Sequence, residues 1–141
     1  MEKEIKIQMI SRFQNEAAPL QRELKARYRL AEREAKLIYK QQLDPQQEQY
    51  TPEILTVVIT PGGRAQRVQM KRPGTRLQLS FQQGIACTAI YDTPAGAIEA
   101  ELHTQQLDGC FLAGEIDLRL QYELKLGSES MGVTILEIRS I

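Results

Sequence analysis

Between residues 110 and 126 apolar and polar positions alternate: Leu112, Gly114, Ile116, Leu118, Leu120, Tyr122, Leu124 and Leu126 hold the even places, and Glu115, Asp117, Arg119, Gln121, Glu123 and Lys125 the odd ones. Successive side chains of an extended strand point to opposite faces, so this period of two predicts one strand with a greasy face and a wet one. A helix would scatter the same residues round its whole circumference. At roughly 3.3 Å per residue the stretch approaches ~50 Å, against about 20 Å for an ordinary strand, so it is expected to bend as the stave of a barrel does. Within the greasy set, Gly114 suits a bend or a close contact, and Tyr122 brings a hydroxyl to an aliphatic row.

The same period recurs along the chain. Ile5, Ile7 and Met9 oppose Glu4, Lys6 and Gln8 in a first strand that ends near Phe13, and a break follows at 14–19. Residues 20–42 are rich in helix formers and place Glu23 four positions before Arg27, which favours a helix. Parity argues the other way: Leu20, Leu24, Ala26, Tyr28 and Leu30 share one face, while Gln21, Glu23, Lys25, Arg27 and Arg29 share the other. Period two fits better, which predicts a strand, a turn at 32–34 and a further strand through 36–40. Residues 43–52 are Gln-rich and bracketed by prolines, the longest predicted loop and a candidate lid. Beyond it, strands are expected at 54–60, 67–71, 75–81, 85–91, 98–105 and 132–141. Pro61-Gly62-Gly63, Pro73-Gly74, Gln82-Gln83-Gly84, Pro94-Ala95-Gly96, Asp108-Gly109 and 127–130 are the turns between strands. About ten strands result, and sequential hairpins make a meander whose closure removes exposed edges. The fold expected is all-β: one antiparallel meander barrel, a single domain over residues 1–141.

Composition narrows the function classes. Lys plus Arg and Asp plus Glu are both 18, so no overall field draws the chain to nucleic acid or to an anionic membrane surface. The first residues lack the apolar core of a secretory signal and no apolar run approaches a membrane span, from which a cytoplasmic location and no membrane partner are expected. Cys87 and Cys110 have neither CxxC nor Cys/His spacing; they are read as thiols packed like small apolar residues, and no metal or cofactor is expected.

A further reading comes from resemblance. Phe81-Gln82-Gln83-Gly84, then Tyr91-Asp92-Thr93-Pro94-Ala95-Gly96, then Thr104, Gly114 and Tyr122 together resemble the YwiB-like family of small bacterial proteins, over nearly the whole chain and most strongly across 77–138. The resemblance implies a calycin-like, lipocalin-type β-barrel and favours strand over helix for 20–29. It implies no established activity and carries no catalytic or binding residues. With no Trp, the chain lacks the Gly-x-Trp signature of lipocalins proper, so their ligand habits transfer by fold analogy alone.

The candidate site residues are those that break the apolar parity or bring hydroxyls to it. Arg22 lies on the face of Leu20 and Leu24, where a charge must reach the rim or meet an anion such as a ligand carboxylate. Tyr28, Thr104 and Tyr122 lie on apolar faces too, and Tyr91 and Thr93 flank a Pro-Gly turn that is either a structural corner or part of a barrel mouth. Arg64, Arg67, Lys71, Arg72 and Arg76 form one basic cluster around the 73–74 hairpin; without interleaved aromatics it lacks base-stacking platforms, and nucleic acid is not expected. His103, the single histidine, shares the face of Glu99 and Glu101 and has no nucleophile placed by motif, so no catalytic residues are identified. The sequence therefore points to a non-enzymatic barrel holding a small apolar or amphipathic ligand. The alternative is a solid barrel that recruits a protein or RNA through the basic hairpin at 64–76.

Overall fold

Ten strands run up and down in chain order: β1 (Glu2–Phe13), β2 (Leu20–Leu30), β3 (Glu34–Gln42), β4 (Tyr50–Ile59), β5 (Ala65–Lys71), β6 (Gln78–Phe81), β7 (Ala86–Thr93), β8 (Gly96–Phe111), β9 (Ile116–Leu126) and β10 (Glu129–Ser140). The structure, a computed structural model, describes residues 1–14, 18–42 and 50–141, apart from the side chains of Gln41, Gln42 and Thr93. Every neighbouring pair is antiparallel, and β1 closes the wall against β10. The barrel is thus a ten-stranded closed meander, as the alternation predicts, and 20–30 is strand despite its helix formers. Burial of one face outweighs the small differences in intrinsic helix propensity.

The inward faces meet in rows. Tyr28, Leu37, Leu55, Met70 and Leu79 are successive cross-strand partners from β2 to β6, and Leu107, Leu120 and Leu136 from β8 to β10. These are the core: Leu37, Leu55, Val57, Val68, Phe81, Leu102, Leu118, Leu120 and Ile138 are wholly buried.

The two ends of the barrel differ in width. The end carrying the turns at 72–77, 94–95 and 127–128 has all ten strands around it and is called the mouth. Toward the other end, the floor, the β6–β7 turn at 82–85 stops short, and β5 meets β8 directly through the Arg64↔Cys110 bridge. Eight strands then enclose the floor, and a barrel of fewer strands is narrower. Gly63 makes the pinch possible. Its φ is +85°, its carbonyl accepts from Phe111 N–H at 2.7 Å, and a Cβ there would lie 2.7 Å from Phe111 O. Gly109 is equally crowded, since a Cβ would meet Leu118 Cδ1 at 2.8 Å and Ala65 Cβ at 3.2 Å.

Several boundaries depart from expectation. The stretch 110–126 is not one strand: β8 runs on to Phe111, residues 112–115 turn, and β9 begins at Ile116. Asp108-Gly109, expected to turn, lies inside β8. The cause is a bulge between Thr104 and Gln106 that inverts parity, so even positions face inward before it and Leu107, Gly109 and Phe111 after it. Leu112 and Gly114 are exposed in the turn, and a Cβ on Gly114 would meet nothing within 4 Å, so neither belongs to the inward set. Pro52 lies within β4 rather than in a loop, and the candidate lid at 43–49 is outside the described residues. Thr75 is exposed in the turn, not on the face of Leu77, Leu79 and Phe81. No helix of the described residues is long and apolar enough to cross a membrane.

Candidate functional site in the mouth of the barrel

Above the packed floor, inward positions change character. Glu53 continues the inward parity of Leu55, Val57 and Ile59 on β4, and Arg72 continues that of Val68 and Met70 where β5 ends. Their side chains meet: Arg72 Nη2 donates to Glu53 Oε1 at 2.6 Å, with the Glu53 side chain 2% exposed and that of Arg72 22%. The turn holds Arg72 in place, because Thr75 Oγ1 donates to the Arg72 carbonyl at 2.8 Å and Asp92 accepts from Arg76 N–H at 2.7 Å. Arg72 therefore does not join the surface patch expected of 64–76. An arginine at an inward position beside a buried carboxylate is drawn into the lumen by charge-assisted hydrogen bonding.

Across the lumen stands Tyr122. Its ring packs edge-on against Phe81, centroids 5.0 Å apart, and its flanking cross-strand partners are Thr104 and Thr134. Burial raises the Tyr122 pKa; a hydrogen bond with the Thr134 side chain pulls the other way, and the Glu53 carboxylate adds to the rise. Tyr91, half-buried on β7, is pushed up to about 12 by burial and by Tyr122 beside it. These phenols are donors at neutral pH, not bases. Two buried polar atoms of this layer, Arg72 Nε and Thr104 Oγ1, have no hydrogen-bond partner among the described residues, and Thr104 is 4% exposed. Arg22, half-buried opposite Met9, also faces the lumen.

The remaining sequence candidates separate. Tyr28 sits at the floor, where its hydroxyl donates to Leu112 O at 2.8 Å; burial, then Cys110, push it up to about 12. It is a plug, distant from the mouth residues. The Thr93 side chain is outside the described set. Arg64, Arg67, Lys71 and Arg76 are exposed. Arg64 lines an outer groove of about 450 Å³ with Asp108, Cys110, Asp117, Arg119 and Arg139. Charges there pair among themselves, Arg139 with Asp117 at 3.7 Å and Arg119 with Glu137 at 3.4 Å, so that groove is a solvated ion-pair network. His103 is on the outer face, its Nε2 3.4 Å from Glu101. Both cysteines are free and half-buried, and no group of three or more His, Cys, Asp or Glu among the described residues is placed to hold a metal.

Glu53 and Thr134 were not singled out in the sequence. Glu53 carries the same signal as Arg22, a charge on an apolar parity, but lies beside Pro52 at what reads as a loop boundary. Thr134 is lost because Val133 and Ile135 beside it are apolar as well, so parity does not mark the inward face there.

Comparison with known proteins agrees with the barrel. The fold matches the crystal structure of the ywiB protein from Bacillus subtilis with a TM-score of 0.75 and 15% identity, covering 99% of this chain and 91% of that one. No curated protein matches the sequence. The family model described as a domain of unknown function, DUF1934, matches residues 5–138, and the chain belongs to that family.

Proposed function

We propose that the chain is a non-enzymatic binding barrel that holds a compact amphipathic anion in the upper lumen, a reading that fold analogy with calycin-like barrels suggests. The observation that carries this reading is the polar layer at the mouth, with the buried Arg72 Nε and Thr104 Oγ1 lacking hydrogen-bond partners among the described residues. Leaving such atoms without a partner costs about 1–3 kcal/mol each, a cost that a ligand acceptor offsets. The half-buried Leu24, Leu124 and Leu126 offer apolar surface for the rest of the molecule. The ligand is short, because the wholly buried side chains below the layer leave no room for a long tail.

Native mass spectrometry of gently purified protein, followed by thermal-shift titration with short-chain carboxylates, tests the reading. A bound small anion or a saturable shift is expected, weakened at least tenfold in a Thr104→Val/Tyr122→Phe variant. Thr104→Val alone is expected to leave stability unchanged or raised, since it removes an unpartnered buried hydroxyl. An empty protein that no carboxylate shifts, or binding untouched by the double substitution, counts against it.

A further inference from the structure

Charge along this neutral chain is segregated. Residues 20–81 carry twelve Lys or Arg and six Asp or Glu, a net +6; residues 82–141 carry three and nine, a net −6; residues 1–19 are balanced at three of each. Closure of the meander turns this linear asymmetry into a spatial one. Strands β2 to β6 make one side of the barrel, β7 to β10 the other, and β1, with three basic and two acidic residues, joins them. The outward positions carry most of it: Lys25, Arg27, Lys36, Lys40, Arg67 and Lys71 on one wall, Asp92, Glu99, Glu101, Asp108 and Asp117 on the other. Pairing within the basic wall is partial. Arg27 and Arg29 share Glu2, at 2.8 and 3.3 Å, and Lys36 lies 3.8 Å from Glu34, whereas Lys25, Lys40, Arg67 and Lys71 have no carboxylate partner among the described residues. The basic wall also has an apolar seat, a cleft of about 400 Å³ lined by Ile38, Tyr50 and Pro52 between three cations, Lys25, Arg27 and Lys40, and one carboxylate, Glu4, with Tyr50 61% exposed.

We propose that the barrel associates head to tail with a second copy of itself, the basic wall of one against the acidic wall of the next. A long polyanion fits less well. The whole molecule has no net charge to draw it in, and a strand wrapping beyond the basic wall runs onto the acidic one. A second copy presents the complementary field over a matching barrel wall and leaves its own opposite wall free. Such a contact is heterologous, so it forms an open chain or closes into a ring according to its rotation. The proposal is independent of any ligand in the lumen.

Sedimentation velocity of the full chain at about 20 mM and about 500 mM salt tests it, because the Debye length shrinks from about 20 Å to about 4 Å between them. A larger species at low salt that dissociates at high salt is expected. Lys25→Glu/Lys40→Glu/Lys71→Glu and Glu99→Lys/Glu101→Lys/Asp108→Lys should each abolish it, and the two mixed should associate with each other at low salt, since their walls are again of opposite charge. The milder Lys→Gln, Glu→Gln and Asp→Asn versions should weaken association in the same way if the reversals disturb folding. A wild-type chain that stays monomeric in low salt up to concentrations on the order of 1 mM overturns the proposal. So does a monomer that captures a single-stranded RNA or an acidic peptide probe instead.

Discussion

The floor and the mouth of this barrel are built from the same alternating strands, yet they are different materials. At the floor eight strands enclose Leu37, Leu55, Val57, Leu118 and Leu120, all without exposure, and Tyr28, a polar side chain plugged among them, is satisfied by the Leu112 carbonyl. At the mouth ten strands hold the lumen wider, and Glu53, Arg72, Tyr91, Thr104 and Tyr122 replace aliphatic residues at inward positions. The contrast teaches that the taper sets the chemistry. Where walls converge, close packing fills the space and polar atoms find no room; where they diverge, polar atoms are held half-dry and some stay unpartnered. Stability is thus concentrated at one end and unsatisfied polarity at the other.

Four measurements break or sharpen this contrast. The largest effect is expected at the floor, where Leu118→Ala should cost about 2–5 kcal/mol in urea unfolding, because both walls around a wholly buried leucine are pinned and collapse little. A loss below that of any mouth substitution would reverse the assignment of stability to the floor. Next, Glu53→Gln should cost about 3 kcal/mol by leaving the Arg72 guanidinium facing a neutral partner. The double variant Glu53→Gln/Arg72→Met should recover most of that loss while binding stays impaired, which separates the pair's role in folding from its role at the site. Tyr28→Phe should cost about 1 kcal/mol, the worth of its hydrogen bond to Leu112, and leave mouth binding unaffected.

The last effect is alkaline. Tyr28 and Tyr91 stay neutral in the folded chain up to about 12, whereas in the unfolded chain they ionise near 10.0. The unfolded state therefore loses protons first as pH rises. Stability should be intact below pH 10.0 and fall between there and about 12, a decline visible as lower urea midpoints and reduced in Tyr28→Phe/Tyr91→Phe. Midpoints independent of alkaline pH would mean that neither phenol is held in a dry environment.

Much of the wall was legible from parity alone, and the exceptions have several causes. The run from Leu112 to Leu126 reads as one stave because Leu112 and Gly114, in the turn, keep the even parity of β9, while the bulge at 104–106 exchanges the faces of β8. Arg22 was legible as a charge on the wrong face; Arg72 was hidden, because a cluster of basic residues around a Pro-Gly turn reads as surface until the strand before it is given a register. Glu53 was hidden for the converse reason, its strand starting earlier than Pro52 allows a sequence reader to expect.

By itself, then, the sequence determined the element type, the order of the strands and the closed meander, because burial of one face every second residue is a local property that sets which way each side chain points. Tertiary structure decided the taper, the face on which β8 resumes after its bulge, the meeting of Glu53 with Arg72 from strands 19 residues apart, and the gathering of scattered charges into two opposed walls. Those depend on register and closure, which fix neighbours across the barrel, and no local period in the chain encodes them.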